Sequence, residues 1–259
     1  MQARTQRRRQ TQCRLLDLET VIPIRDTIKS RTFPFVTVLL ILANAAAFLY
    51  EARLGPQLNE WIEVMGFTPA RFVFWENFGG ASLSPLRFAP IFTAMFLHGG
   101  WAHFLGNMLY LWIFGDNVED RLGHGRYLLF YLACGAGAFL FQAASDPEST
   151  VPAIGASGAI AGVLGAYLIL YPRSRVLTLV PIFIFPWFVE IPAVIYLGVW
   201  FLLQLANGAM QLSTKAGEAG GVAWWAHIGG FVLGIILCLL LRRPAPAPVY
   251  RTYQRRFGG

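Results

Sequence analysis

The chain has 259 residues, of which 56% are hydrophobic and only 14% are charged. An ordinary soluble domain has about 25% charged residues, so this composition argues against a water-soluble protein and favours one that is solvated by membrane lipid. The formal net charge of +7 fits membrane topology and attraction to anionic lipid. We expect no nucleic-acid partner, because the arginines near the amino terminus lack interleaved aromatic residues.

Long segments without charged side chains predict the membrane helices. A helix needs about 20 apolar residues to cross the hydrocarbon core of a bilayer. Six segments are long enough, at residues 32–50, 88–115, 127–145, 149–172, 191–214 and 219–241. A shorter segment, 176–189, contains Pro181 and Pro186, and we interpret it as an interfacial connector.

The distribution of basic residues predicts how these helices are oriented. Lysine and arginine accumulate on the cytoplasmic side of membrane proteins. With six spans, 17 of the 21 basic residues lie on the side that holds both termini. The remaining four are Arg53, Arg71, Arg87 and Lys215. The sequence therefore predicts an all-α polytopic membrane protein, a bundle of six helices with both termini in the cytoplasm.

The predicted organisation is one membrane domain with two short tails. Residues 1–31 are a basic cytoplasmic N-terminal tail, 32–242 the six-helix domain, and 243–259 a cytoplasmic tail rich in proline and arginine. The external connection at about 51–92 is rich in aromatic residues, which is typical of a loop in the membrane interface. The three cysteines are far apart, and they indicate neither a disulfide framework nor a metal site.

Polar side chains recur at one depth in three of the predicted helices. His98, His103 and Asn107 belong to the second, Ser157 to the fourth and His227 to the sixth. At 1.5 Å per residue, they lie roughly 10–15 Å below the outer surface. A lone serine in a membrane helix is usually a packing residue, but three helices with polar groups at one depth indicate a site. A hydroxyl, an imidazole and spare donors suit acyl transfer.

Glycine spacing predicts which helices touch. Small residues three or four positions apart let two backbones approach closely in lipid. This pattern occurs at Gly158, Gly162 and Gly165 on the fourth helix, and at Gly230 and Gly234 on the sixth. Packing alone explains most of these glycines, yet the same approach would bring Ser157 towards His227.

Two competing hydrolytic mechanisms are less consistent with the sequence. A zinc protease would carry a His-Glu-x-x-His run, which the chain lacks. An aspartyl protease needs two facing aspartates in the membrane, and the candidates, Asp116 and Asp120, lie beside a basic loop. We therefore expect neither a metal nor another cofactor.

Three motifs resemble those of the rhomboid intramembrane serine proteases. In chain order they are His98-Gly-Gly-Trp-Ala-His103-Phe-Leu-Gly-Asn107, Gly155-Ala-Ser157-Gly158 and Ala226-His227-Ile-Gly-Gly230. The similarity extends from about residue 22 to 241 and includes Val118-Glu-Asp-Arg-Leu-Gly123. Each motif alone is modest evidence, but all three in order, in the expected helices, are highly specific.

The resemblance implies a serine endopeptidase that cleaves transmembrane segments of other membrane proteins. By position, Ser157 is the nucleophile and His227 the general base and then acid. His103 and Asn107, with the backbone N–H of Ser157, would form the oxyanion hole, while His98 and Gly155 would support it. The lean six-helix layout suggests a bacterial or archaeal plasma membrane.

Two positions depart from the family pattern. Some relatives carry an aromatic residue one turn after the serine that packs on the catalytic histidine, whereas this chain has Ala161. Some carry a Trp-Arg pair in the first external loop, whereas this chain has Trp75-Glu76. Either another group holds the His227 ring or the ring is held less firmly, and we expect the anchoring of the loop to differ.

A second function also fits the sequence, that of a non-catalytic rhomboid-like factor for membrane-protein binding or quality control. A serine-reactive probe separates the two functions, because only an active protease is labelled in a way that Ser157→Ala blocks.

Overall fold

The computed structural model describes residues 22–80, 84–182, 185–214, 222–242, 244 and 249–250. Within these ranges, six long helices dominate the architecture, and each overlaps one of the long segments without charge. They are α1 (Phe35–Glu51), α2 (Trp101–Leu122), α3 (His124–Ser145), α4 (Ser157–Leu170), α5 (Ala193–Thr214) and α6 (Trp224–Leu241). The protein is predominantly helical, as lipid requires of a chain that must pair its own backbone groups.

Length and apolar composition alone qualify three of the described helices as membrane spans, at His124–Ser145, Ala193–Gln211 and Trp224–Leu241. A fourth arises if α1 and Gly55–Met65, bent by 113°, form one broken span. The apolar α4 has only 14 residues, and the last turns of α2 carry charged side chains. The helices are those of an integral membrane protein, and the count of six spans remains a prediction.

A three-stranded antiparallel sheet departs from the expected all-α fold. Its strands are β1 (Ile22–Asp26), β2 (Arg175–Ile182) and β3 (Phe185–Pro192), in that spatial order. The segment expected to be an interfacial connector is the hairpin of β2 and β3. Pro181 pairs with Pro186 near its turn, and prolines exclude a helix while β-branched and aromatic neighbours favour strands. The all-α expectation is therefore wrong for this part of the chain.

The sheet also includes part of the segment expected to be the N-terminal tail. β1 pairs with β2 from Ile22 opposite Leu179 to Asp26 opposite Val176. The Lys29 N–H donates to the Val249 carbonyl at 3.0 Å, so a piece of the expected C-terminal tail joins the same region. Residues 1–21 and 251–259 of the two expected tails lie outside the described residues.

The connection between α1 and α2 contains three short helices, Leu58–Met65, Pro69–Val73 and Ala89–Thr93. Hydrogen bonds from two arginine side chains hold this connection together. Arg71 donates to the backbone oxygens of Val64 and Gly66 at 3.0 and 3.1 Å, and Arg87 Nε donates to that of Phe72 at 2.7 Å. These contacts anchor the loop although Trp75 is followed by Glu76 and not by arginine.

The α4–α6 seam, defined by Gly158 and Gly162 on α4 and Gly230 and Gly234 on α6, is the tightest helix contact near the site. A Cβ on Gly230 would collide with the carbonyl oxygen of Gly158, and one on Gly234 with that of Gly162. The two backbones therefore touch without intervening side chains. The predicted close approach of these helices is confirmed.

Candidate active site

Ser157 and His227 meet where their helices begin. Ser157 is the first residue of α4, and His227 lies in the first turn of α6. The Oγ of Ser157 lies 2.8 Å from Nε2 of His227. Both residues are half-buried. The α4–α6 seam explains the approach, because each residue lies within a turn or so of a seam glycine.

Gln204 of α5 contacts the other nitrogen of the same imidazole. Its Oε1 lies 2.8 Å from Nδ1 of His227, and its Nε2 donates to the backbone oxygen of Trp200 at 3.3 Å. The residue is only 6% exposed. Gln204 was not among the predicted site residues. It is one of three amides in the apolar segment 191–214, with Asn207 and Gln211, and each such polar group in lipid needs a partner.

Two tryptophan rings lie near the His227 ring, whereas Ala161 supplies no aromatic group. The ring of Trp200 lies 6.0 Å from the imidazole, centroid to centroid, at an interplanar angle of 35°. The ring of Trp224 lies 6.2 Å away and almost perpendicular, at 89°. Together with Gln204, these residues are the groups that hold the imidazole in this chain.

Gly155 lets two side chains of α2 approach the segment that leads into Ser157. Its φ of 121° lies in a region that residues with side chains rarely adopt. A Cβ at Gly155 would lie 2.7 Å from Nε2 of His103 and 3.5 Å from Nδ2 of Asn107. The missing Cβ of Gly155 leaves a space bordered by His103 and Asn107, two residues before Ser157 in the chain, and we call this space the pocket. Glycine is required there for both conformation and space.

Each of these α2 side chains presents a hydrogen-bond donor to the pocket. Nδ1 of His103 accepts from the Gly99 N–H at 3.3 Å, so a neutral His103 ring carries its proton on Nε2. Nδ2 of Asn107 is buried and has no hydrogen-bond partner among the described residues. The N–H of Ser157 belongs to the first turn of α4, where backbone donors have no intrahelical acceptor. Such a set of donors can stabilise a negatively charged oxygen.

His98 lies behind this pocket. Its ring centroid is 5.2 Å from that of His103, and its backbone N–H donates to both carboxylate oxygens of Glu51, at 3.1 and 3.2 Å. Its Nδ1 lies 3.2 Å from the Phe96 carbonyl oxygen. Within the described part of the chain, no hydrogen bond joins His98 to Ser157 or His227, so its place is one of support.

The chain belongs to the rhomboid family. The sequence model of the family described as "Rhomboid domain" matches residues 85–244, a range that includes α2 to α6 and every expected site residue. Membership of this family points to intramembrane protease activity, and it fits the apolar helices of the bundle.

Similar proteins occur in bacteria and in eukaryotes. RHOMBOID-like protein 1 of Arabidopsis thaliana is 32% identical over 224 residues, which cover 79% of this chain and 52% of the relative. Rhomboid protein 1, mitochondrial, of Saccharomyces cerevisiae is 30% identical over 150 residues, 56% of this chain and 40% of the relative. Rhomboid protease GluP of Bacillus subtilis is 45% identical over 85 residues, which cover 33% of this chain and 16% of the relative. The matched region thus spans about half of these relatives or less.

Proposed function

We propose that this protein is an intramembrane serine endopeptidase that cleaves transmembrane segments of other membrane proteins. The observation that carries the proposal is the 2.8 Å contact between Ser157 Oγ and His227 Nε2, beside a pocket of hydrogen-bond donors. A hydroxyl paired with an imidazole is the arrangement that activates a serine nucleophile. Family membership supports the same reaction.

In the acylation step, Ser157 Oγ attacks the carbonyl carbon of the scissile peptide bond, and His227 Nε2 takes the hydroxyl proton. The new C–O bond forms as the carbonyl π electrons move to oxygen, which gives a tetrahedral oxyanion. When this intermediate collapses, the C–N bond breaks and His227 delivers the proton to the leaving amine. The product is an acyl-enzyme on Ser157.

The oxyanion would be stabilised by His103 Nε2–H, Asn107 Nδ2–H and the backbone N–H of Ser157. The placement of the two α2 side chains against Gly155 supports this role. One donor of this kind is typically worth about 2.7–4 kcal/mol of transition-state stabilisation. The unpaired state of Asn107 Nδ2 fits a group whose acceptor arrives with the substrate.

In the deacylation step, His227 takes a proton from a water molecule, whose oxygen attacks the ester carbon. The C–Oγ bond then breaks, and His227 returns the proton to Ser157 Oγ as the acid product leaves. Water must therefore reach the pair, which fits their half-buried positions. The substrate helix must also unwind locally, because an intact helix buries its carbonyl groups in its own hydrogen bonds. Substrates with a small residue at the cleavage site and helix-breaking residues nearby suit this requirement.

We further propose six spans, counting α2 and α4, with both termini in the cytoplasm and the Ser157–His227 pair near the outer surface. The basic residues concentrated on one side support this orientation. The membrane domain then covers 32–242, with tails at 1–31 and 243–259. The six-helix layout supports a bacterial or archaeal plasma membrane as the location.

Co-expression with model single-span substrates tests the function. We expect the wild type to release a cleaved fragment and Ser157→Ala to lose at least about 10³-fold in rate. Ser145→Ala, at the end of α3, is the matched control and should cleave as the wild type does. Cleavage retained in Ser157→Ala would overturn the assignment of Ser157 as the nucleophile. A wild type that neither cleaves the substrates nor reacts with a serine-directed probe would overturn the proposed protease function.

A further inference from the structure

We infer that Gln204 is a positioning residue for His227: it sets the tautomer of the imidazole, so that the nitrogen facing Ser157 is the basic one. The inference rests on the proposed protease function and adds a third residue to the Ser157–His227 pair. It follows from two hydrogen bonds made by one amide group and from the position of α5.

The first step is the orientation of the Gln204 amide. A backbone carbonyl oxygen can only accept a hydrogen bond, so the amide atom that faces the Trp200 oxygen must be the NH2 group. The opposite atom of the amide, which faces His227 Nδ1 at 2.8 Å, is then the oxygen Oε1. The network itself therefore excludes the flipped amide.

The second step is the tautomer of His227. Because Oε1 of Gln204 can only accept, Nδ1 of His227 must carry a proton. In a neutral imidazole the other nitrogen, Nε2, then has a free lone pair. This lone pair faces Ser157 Oγ at 2.8 Å and can accept its proton. The opposite tautomer would place an N–H against the serine and could not act as a base.

The third step is the rigidity of the group that fixes the tautomer. Gln204 is buried on α5, and its own helix holds the amide through Trp200. The ring of Phe201 stacks on that of Phe231 with centroids 4.6 Å apart, which docks α5 against α6 one turn from each of the two polar residues. The contact between α5 and α6 therefore sets the direction of the His227 ring.

A glutamine also fits the environment better than the carboxylate of a triad. A charged carboxylate in lipid is costly, whereas a neutral amide needs only its hydrogen bonds. The amide orients the ring but adds no negative charge to stabilise the protonated imidazole. We therefore expect its effect on rate to be smaller than that of a triad aspartate.

The experiment compares Gln204→Met, Gln204→Glu and the matched control Gln142→Met in purified protein. Methionine keeps the length of the side chain and removes the acceptor, whereas glutamate keeps an acceptor oxygen. Gln142 on α3 is also buried, and its Oε1 accepts from the N–H of Ala226, which precedes His227, without contact to the imidazole. The kcat and KM for a model substrate are measured separately, each relative to the folded fraction.

We expect Gln204→Met to lower kcat about tenfold or more, with KM within about twofold of the wild type, because the hydrogen bond acts on the base and not on substrate binding. A glutamate protonated on the oxygen that faces the Trp200 carbonyl keeps both hydrogen bonds of the amide without a buried charge, so Gln204→Glu should recover most of this loss. Gln142→Met should leave kcat unchanged. A kcat for Gln204→Met within twofold of the wild type, or equal losses in the Met and Glu variants, would overturn the inference while the protease function stands. Failure of the proposed function is recognised by a different result, namely cleavage that is retained in Ser157→Ala.

A spectroscopic measurement keeps the inference testable even if Gln204→Met is inactive for another reason. The chain has only four histidines, so ¹⁵N NMR of histidine-labelled protein, assigned with His227→Ala, resolves the ring of interest. The wild type should show His227 protonated at Nδ1, and Gln204→Met should show a mixture of tautomers. An Nε2-protonated ring in the wild type would contradict the assignment.

Discussion

Two buried polar residues lie towards opposite ends of α2, and they differ in how fully their hydrogen bonds are satisfied. Near the last turn, the Glu119 carboxylate accepts from the N–H groups of Val36 and Thr37, from the Thr37 hydroxyl and from the His124 ring. Twelve residues earlier, or about 18 Å along the axis, Nδ2 of Asn107 has no partner among the described residues.

Under the proposed function, this difference separates a structural role for Glu119 from a catalytic role for Asn107. Glu119 caps the first turn of α1, and its bonds are complete when the protein folds. The buried N–H donor of Asn107 has no acceptor among the described residues, and this costs free energy until an acceptor binds to it. A substrate oxyanion would complete the set only in the transition state, where stabilisation raises the rate. The mutations below test this distinction.

The largest effect is expected at Glu119. Glu119→Leu leaves buried donors of α1 without an acceptor and should lower the free energy of unfolding by about 3–5 kcal/mol. Thermal unfolding in detergent measures the loss, and kcat of the fraction that stays folded should be close to that of the wild type. Asp120→Ala is the control, because Asp120 accepts from Thr32 at an exposed site and should cost about 1 kcal/mol at most.

The reverse outcome is expected at Asn107. Asn107→Ala should lower kcat by about 10²–10³-fold, equivalent to roughly 2.7–4 kcal/mol in the barrier, while the free energy of unfolding changes by less than about 1 kcal/mol. Rates on a model substrate and a melting curve of the same preparation measure both quantities. A large loss of stability with unchanged kcat in the folded protein would assign Asn107 to the structural class together with Glu119.

Glycine substitutions test a region where stability and activity should change together. Gly234→Ala places a methyl group against the backbone of Gly162, so it should separate α4 from α6 and cost about 1–3 kcal/mol. The same shift should weaken the Ser157–His227 contact and lower kcat. Gly198→Ala on α5 is the matched control: its Cβ meets no atom within 4 Å, and helix propensity should make it stabilising by roughly 0.5–1 kcal/mol.

The smallest effect is expected midway along α2. The hydroxyl of Tyr110 lies 2.6 Å from that of Tyr196 on α5, and Tyr110→Phe removes this bond. The loss should be about 1 kcal/mol in unfolding free energy. If instead kcat changes more than twofold while the melting temperature does not, the bond between α2 and α5 serves the site and not the fold.

The sequence contained enough information to predict the long helices and the meeting of Ser157 with His227. Charge-free segments report helices in lipid directly, and glycines at helical spacing report which helices pack closely. Both signals are local, or repeat within one helix. For this reason the α4–α6 seam, and the two polar residues beside its first glycines, could be inferred without coordinates.

The parts that escaped prediction depend on contacts distant in sequence. Pro181 and Pro186 excluded a helix, but the partner of β2 lies near residue 22, and nothing local to either segment specifies that pairing. Gln204 shares its helix with two other amides, Asn207 and Gln211, and its spacing from His227 carries no pattern. Whether a buried amide faces lipid, a neighbour or a catalytic ring depends on helix rotation, which only tertiary packing decides.

The pairing of β1 with β2 has a consequence for the order of folding. Ile22 lies opposite Leu179, so β1 leaves the ribosome about 8–30 s before its partner, at usual rates of synthesis. The four helices α1 to α4 are made while β1 has no partner strand, and closing so long a loop slows folding. Pro23 has no N–H to donate, so the unpaired β1 pairs poorly with strands other than β2. β1, the first of the described elements to be made, is thus among the last to reach its native place.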